Sequence, residues 1–221
     1  PPRLGILSYI VEGWTPAGRD VVFIPVALNY DRVIEDRFLV TAGLTGERRF
    51  RPPVTYLLGA ALRHLGQRLT GRFRRMGAAT VAYGTPLRLS EVLSDGDGPP
   101  TEVLAARIMA GIAAVVPVSA VSLVARLVLT EGPLSRDRLV ARFAAICAEF
   151  APRGIPVPRR TASDSVDEAL ALLSTRGLVL VGDEVAAAPG DLPLLDYYAA
   201  SIAHHFVGSG FPQLPVASPA A

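Results

Sequence analysis

The sequence predicts an α/β chain: a strand-bearing first region, then a mostly helical domain with a small β-hairpin. Three observations carry this. Val21–Leu28 (VVFIPVAL) and Ala79–Tyr83 are short, apolar, β-branched runs of strand length. Five segments that read as helices follow residue 100. Near the end, Leu178–Val181 and Val185–Ala188 flank Gly182-Asp183-Glu184 as the arms of a hairpin.

Taken in order, Gly5–Val11 reads as the inside of a folded element. Val21–Leu28 lacks alternation, so the expected strand is covered on both faces, with an edge or bulge where Pro25 removes a ladder donor. Pro53–Met76 spaces Leu57, Leu58, Ala61, Leu62, Leu65 and Leu69 as one helix face. Gly84-Thr85-Pro86 closes the second strand with turn chemistry. The clearest linker is Asp95–Pro100 (DGDGPP). Helices are then expected at Glu102–Val115, Ser119–Leu129, Arg136–Phe150, Ser163–Thr175 and Leu192–Val207. The resulting division is a first domain over 1–94, a linker at 95–100, a helical domain over 101–208 and a disordered Pro/Ala/Ser tail over 209–221.

Ile108–Ala125 is eighteen residues long and uncharged, at the threshold for a membrane span. Pro117 in its middle and its many Ala, Gly and Ser residues favour two buried helices meeting at the proline. Arg107 and Arg126 flank it symmetrically and give no orientation signal.

Composition excludes several chemistries. All 22 basic residues are arginine, so Schiff-base lysine chemistry and a Walker-type phosphate loop are ruled out. One cysteine, Cys147, forms no internal disulfide, and three histidines leave little room for a zinc centre. No metal or cofactor is therefore expected. The net charge of +2 hides an asymmetry: Arg48, Arg49, Arg51, Arg63, Arg68, Arg72, Arg74 and Arg75 fall in one stretch without an acid. Such a block is an electrostatic footprint for an anion, and Arg68, Arg72, Arg74 and Arg75 are its candidate anionic-surface residues.

Val22-Phe23-Ile24-Pro25-Val26-Ala27-Leu28-Asn29-Tyr30-Asp31-Arg32-Val33 resembles the fourth acyltransferase block of the bacterial membrane-associated glycerol-3-phosphate acyltransferases. In that family an apolar strand runs into Pro, then a Tyr-acidic pair and a valine. Gly77–Leu87 resembles the later strand ending in Gly-x-Pro. Leu129–Arg138, Thr161–Leu173 and the stretch from Asp196-Tyr197-Tyr198 to His204 resemble the family's C-terminal region in order and spacing. On this resemblance, residues 1–94 are the C-terminal part of an acyltransferase α/β domain.

The resemblance implies acyl transfer from acyl-CoA or acyl-carrier protein to the sn-1 hydroxyl of glycerol 3-phosphate, in phospholipid synthesis. It implies a peripheral location on the cytoplasmic face of the bacterial inner membrane, with an anionic membrane surface as partner and no nucleic acid. Pro25 and Tyr30 match the fourth block and are the candidate substrate-binding residues on the acyl-donor side; Asn29 and Asp31 are weaker neighbours. The family's His-x4-Asp pair supplies base and orienter, and a Glu-Gly-Gly block with an arginine binds phosphate. Five residues beyond His64, His204 and His205 stand Leu69, Ser209 and Gly210, so no catalytic residue is expected in this chain. The opening Pro-Pro-Arg, without initiator Met, agrees with a fragment whose first motifs lie upstream, inactive alone.

The alternative is a non-catalytic regulatory or interaction module. Arg136–Phe150, Ser163–Thr175 and the hairpin follow a winged-helix order, but Asp164, Asp167 and Glu168 make the recognition position acidic.

Overall fold

The computed structural model describes residues 4–46, 77–95 and 97–214. The expected helix Pro53–Met76 and Arg68, Arg72, Arg74 and Arg75 lie outside the described residues. The chain is a mixed α/β fold, as the sequence predicts.

Helix α1 (Gly5–Gly13) turns Leu7, Ile10, Val11 and then Trp14 towards a small core, at the three-and-four spacing of one helix face. The run expected as one strand splits into β1 (Val22–Phe23) and β2 (Val26–Tyr30). Pro25 brings no N–H to a ladder, and the break falls there. Strand β2 pairs antiparallel with β3 (Ala79–Tyr83), setting Val26 opposite Tyr83 and Leu28 opposite Val81; β1 pairs with β4 (Leu87–Arg88). Expectation and structure differ on burial. Only one face of β2 is covered, by Ala27 and Asn29, while Val26, Leu28 and Tyr30 stand exposed.

Helix α2 (Asp36–Thr45), which the sequence reading did not anticipate, ends at Gly46 in the left-handed region. Helix α3 (Leu89–Asp95) and α4 (Pro100–Ala114) close the small core through Leu89, Val92 and Leu104. Proline at the first position starts α4 at no hydrogen-bond cost. Helix α4 packs on this first core, whereas Val40 of α2 packs against the second one. The apolar stretch is two helices separated by an elbow around Pro117, but only the second is buried: Ile108–Ala114 of α4 are half-buried or exposed. Among the described residues no helix is long and apolar enough to cross a membrane.

The second lobe is built around α5 (Ala120–Glu131), buried continuously from Val121 to Val128. Ser119 caps it by accepting from Ser122 N–H; Ser135 and Thr161 do the same for α6 (Arg136–Phe150) and α7 (Ala162–Thr175). The hairpin forms as expected, with β5 (Val179–Val181) paired to β6 (Val185–Ala187), and Leu134 bridges to Val185.

The last helix is shorter than expected. Helix α8 (Leu192–Ala200) stops where Ser201 Oγ bonds back to the Tyr198 carbonyl (2.7 Å), and a 3-10 turn, Ala203–Phe206, follows. Ordered packing continues past the expected tail boundary at 209. Phe211 and Leu214 lie against the second core, and Gln213 Nε2 donates to Phe206 O.

Candidate functional site

The fourth-block segment leaves β2, turns through Asp31–Glu35 and enters α2, and the second lobe holds it from behind. Pro25 and Tyr30 do not come together. Pro25 is buried: its carbonyl accepts from Gly84 N–H (2.8 Å), and Gly111 of α4 lies so close that an added Cβ would sit 2.8 Å from Pro25 Cγ. Glycine is required at 111 because the proline ring fills the space of a side chain. Tyr30 faces the other way, 43% exposed, beside Leu28 and Val81. Pro25 therefore shapes the strand from inside, and Tyr30 is the residue on the open face.

The two neighbours prove to be anchors. Asn29 Nδ2 donates to Pro117 O at the elbow (2.8 Å), and its Oδ1 accepts from Tyr30 N–H. Asp31 Oδ2 accepts from Ala78 N–H (2.9 Å), while Asp31 Oδ1 is buried without a hydrogen-bond partner. Gly77, at φ 91°, packs directly against Asp31.

Three residues that sequence reasoning did not single out as a site form the best-connected polar cluster. Asp36, at the start of α2, accepts from Tyr198 Oη on α8 and from Arg176 Nη2 at the end of α7 (2.6 Å). Arg176 Nη1 and Val33 N–H both donate to Tyr198 Oη (2.8 and 3.2 Å). Burial, helped by Asp36, pushes the Tyr198 hydroxyl up to about 12. Burial opposes the Arg176 cation, but Tyr198 and Asp36 outweigh it, and its pKa is raised. Tyr198 stands in the quoted Asp-Tyr-Tyr stretch, yet no spacing in the sequence points to Asp36, 162 positions away.

The remaining chemistry-bearing groups are structural. His204 and His205 Nε2 bond to Ala113 O and Val116 O (3.0 and 2.8 Å), tying the last turn to the end of α4 and to the elbow. Cys147 is half-buried, and burial pushes its thiol up to about 11, far from a thiolate nucleophile. Arg126, buried in α5, donates to Pro212 O (2.6 Å) and lies 3.7 Å from the Phe206 ring centroid; burial lowers its pKa to about 10. Among the described residues no group of three or more His, Cys, Asp or Glu side chains could hold a metal.

The second lobe also carries the winged-helix order of α5, Leu134, α6, α7 and hairpin. The acids of α7 are engaged rather than opposed by a basic face: Arg136 pairs with Asp167 through two nitrogens, and Arg160 with Glu168 (3.3 Å).

No curated protein matches the chain. The family model of the glycerol-3-phosphate acyltransferase C-terminal region matches residues 67–212, beginning downstream of the fourth-block segment and covering well over half of the chain. His204 and His205, Arg176 and Tyr198 of the polar cluster, the capped helices and the hairpin all fall within that match, whereas Val33 and Asp36 precede it, and the chain belongs to this glycerol-3-phosphate acyltransferase C-terminal family.

Proposed function

We propose that this chain is the C-terminal portion of a glycerol-3-phosphate acyltransferase. The sn-1 hydroxyl oxygen of glycerol 3-phosphate forms an ester bond to the acyl carbon of acyl-CoA or acyl-carrier protein. The thioester C–S bond breaks, and the hydroxyl proton leaves through a base to the departing thiol. Membership of the C-terminal family carries this reading. An unactivated alcohol is a poor nucleophile, so a positioned base is required, typically for about 10²–10⁴-fold. The chain contains no His-x4-Asp pair, and the proposal assigns base and phosphate-binding block to polypeptide outside these 221 residues.

The exposed row of Val26, Leu28, Tyr30, Val81 and Tyr83, which no described element covers, supports that assignment, because an exposed apolar face of this kind marks a contact surface. In this reading Tyr30 borders the acyl-donor side, with Pro25 shaping the strand behind it. The proposed partners beyond the substrates are an anionic membrane surface and the acidic carrier protein. The run of eight arginines without an acid suits both, since guanidinium pairs bidentately with phosphate and carboxylate. The acidic α7 supports the expectation of no nucleic-acid partner.

The test assays the 221-residue chain and the gene's complete reading frame side by side, with acyl-CoA and glycerol 3-phosphate. The short chain is expected to be inactive and the complete frame active. Turnover by the short chain, once host enzyme has been removed, overturns the reading, as does a complete frame lacking both motifs.

A further inference from the structure

Between Asn29 and Asp36 the backbone presents two different rows. Asn29 and Asp31 turn inward at 8% exposure each, with Val33 half-buried behind them and Asp36 almost wholly buried. Tyr30, Arg32 and Ile34 turn outward. A strand end resting on an apolar core would carry Val or Leu inward; here the inward row is mostly polar, and it is bonded at both ends to the second lobe. Asn29 grips the elbow carbonyl of Pro117, and Val33 N–H and Asp36 grip Tyr198.

The Tyr198 hydroxyl is the joint of this arrangement. It accepts from Val33 N–H and Arg176 Nη1 and donates to Asp36, so all its hydrogen-bonding capacity is used. A tyrosine hydroxyl is a neutral donor at ordinary pH, and burial moves this one further from ionisation. A buried ion pair is often no more stabilising than apolar packing of the same volume. What the cluster adds is direction: its bonds close only when Val33 and the start of α2 take one position relative to α7 and α8.

Building on the acyltransferase reading, we propose that Tyr198, fixed by Asp36 and Arg176, is a positioning residue of the acyltransferase site. Through the Val33 N–H it holds the Tyr30–Ile34 segment in place on the acyl-donor side. The C-terminal region thereby serves the reaction without contributing a reacting group. Misplacement by about 1 Å at such a distance is enough to cost on the order of 10²-fold in rate.

Native-state amide exchange on the 221-residue chain reads the positioning directly. Tyr198→Phe keeps the ring and removes the hydroxyl. It is expected to accelerate exchange at Val33 by about tenfold, the worth of one ordinary hydrogen bond, with Leu123 N–H in α5 unchanged. Unchanged exchange at Val33, or equal acceleration at both amides, overturns the proposal. If the phenylalanine variant does not fold, Asp36→Asn, nearly isosteric with one acceptor oxygen kept, is read by the same two amides and the same criteria.

In the complete reading frame, Tyr198→Phe is expected to lower kcat by about tenfold, with KM for glycerol 3-phosphate unchanged. An unchanged kcat overturns the positioning role. A complete frame without acyl transfer in its native sequence overturns the acyltransferase reading instead, while the exchange result still decides whether Tyr198 holds the segment.

Discussion

Around α5, twenty-six apolar residues are buried in one cluster, whereas the described part of the lobe built on α1, α3, α4 and the two ribbons buries three and rings them with half-buried side chains. Among the described residues, exposed large apolar side chains distribute the opposite way, with thirteen before the elbow, from Ile6 to Met109, and four after it. The first lobe does not lack apolar sequence. Its ribbons place Val26, Leu28, Val81 and Tyr83 on a face that no described element covers. Among the described residues, one lobe is closed on itself and the other leaves an apolar face exposed.

The largest expected effect tests that contrast. Phe143, 1% exposed in the second core, should cost about 3–5 kcal/mol when replaced by alanine. Leu104→Ala in the first core removes as complete a burial from a much smaller cluster. The single tryptophan, Trp14, packs on the first core, so its fluorescence follows that lobe, while far-UV circular dichroism follows mainly the second. Phe143→Ala is expected to shift the circular dichroism midpoint strongly, and Leu104→Ala to shift the earlier fluorescence transition. Coincident transitions in the native chain would break the comparison, because they would show one cooperative unit.

Much of the second lobe was legible in the sequence, for physical reasons. Helices α6 and α7 and the hairpin have strong periodicity, Ser or Thr caps and a Gly-containing turn, so local signals agree with the final packing. The first lobe was less legible. Asp36–Thr45 carries little amphipathic signal, and its helix is fixed by Asp36 reaching Tyr198 and Arg176 across the chain. The apolar run at Val21–Leu28 implied two covered faces, since sequence alone does not show that a covering layer is missing from the described residues. Pro25 and Tyr30 were found by resemblance. Their opposite orientation follows from the pleat, which separates odd and even positions, and could have been read from spacing alone. The Tyr198 cluster was invisible because it joins three distant segments.

A smaller effect sharpens the contrast at two glycines with positive φ. At Gly132 (φ 78°, ψ −155°), after α5, an added Cβ meets nothing within 4 Å, so Gly132→Ala pays only the cost of a backbone region almost confined to glycine, about 1–3 kcal/mol. At Gly77 (φ 91°) the same atom lies 2.6 Å from Asp31 Cβ, and overlap adds to the backbone term for a total of about 2–4 kcal/mol. Gly77→Ala should also loosen the Asp31–Ala78 bonds and accelerate exchange at Asp31 N–H, which Gly132→Ala should leave alone. Equal costs at both positions would mean that the first-lobe segment yields freely, against the anchored geometry described above.

The smallest effect is the pH dependence of the closed lobe. His205 is 4% exposed, packed on Phe150, with the His204 ring 4.0 Å away and Arg153 bonded to its carbonyl. Its pKa is lowered, first by burial and then by His204 and Arg153, although the Val116 carbonyl pulls the other way. A lowered folded-state pKa means that the unfolded chain binds the proton more readily. The stability from neutral His205 is therefore complete above about pH 6.5 and is lost as pH falls below the unfolded value towards the folded one. One proton limits the slope to about 1.4 kcal/mol per pH unit. The carboxylates of Asp20 and Asp167, whose pKa values are lowered by Ser90 and Arg136 respectively, act in a separate window below pH 3.8. Chemical denaturation followed by circular dichroism at pH 7.5 and 5.5 should show the loss in the native chain and a flatter response in His205→Gln, with the Trp14 transition unmoved. The same pH slope in His205→Gln would assign the effect to another group, and a slope shared by Trp14 would show that the elbow transmits the charge to the first lobe.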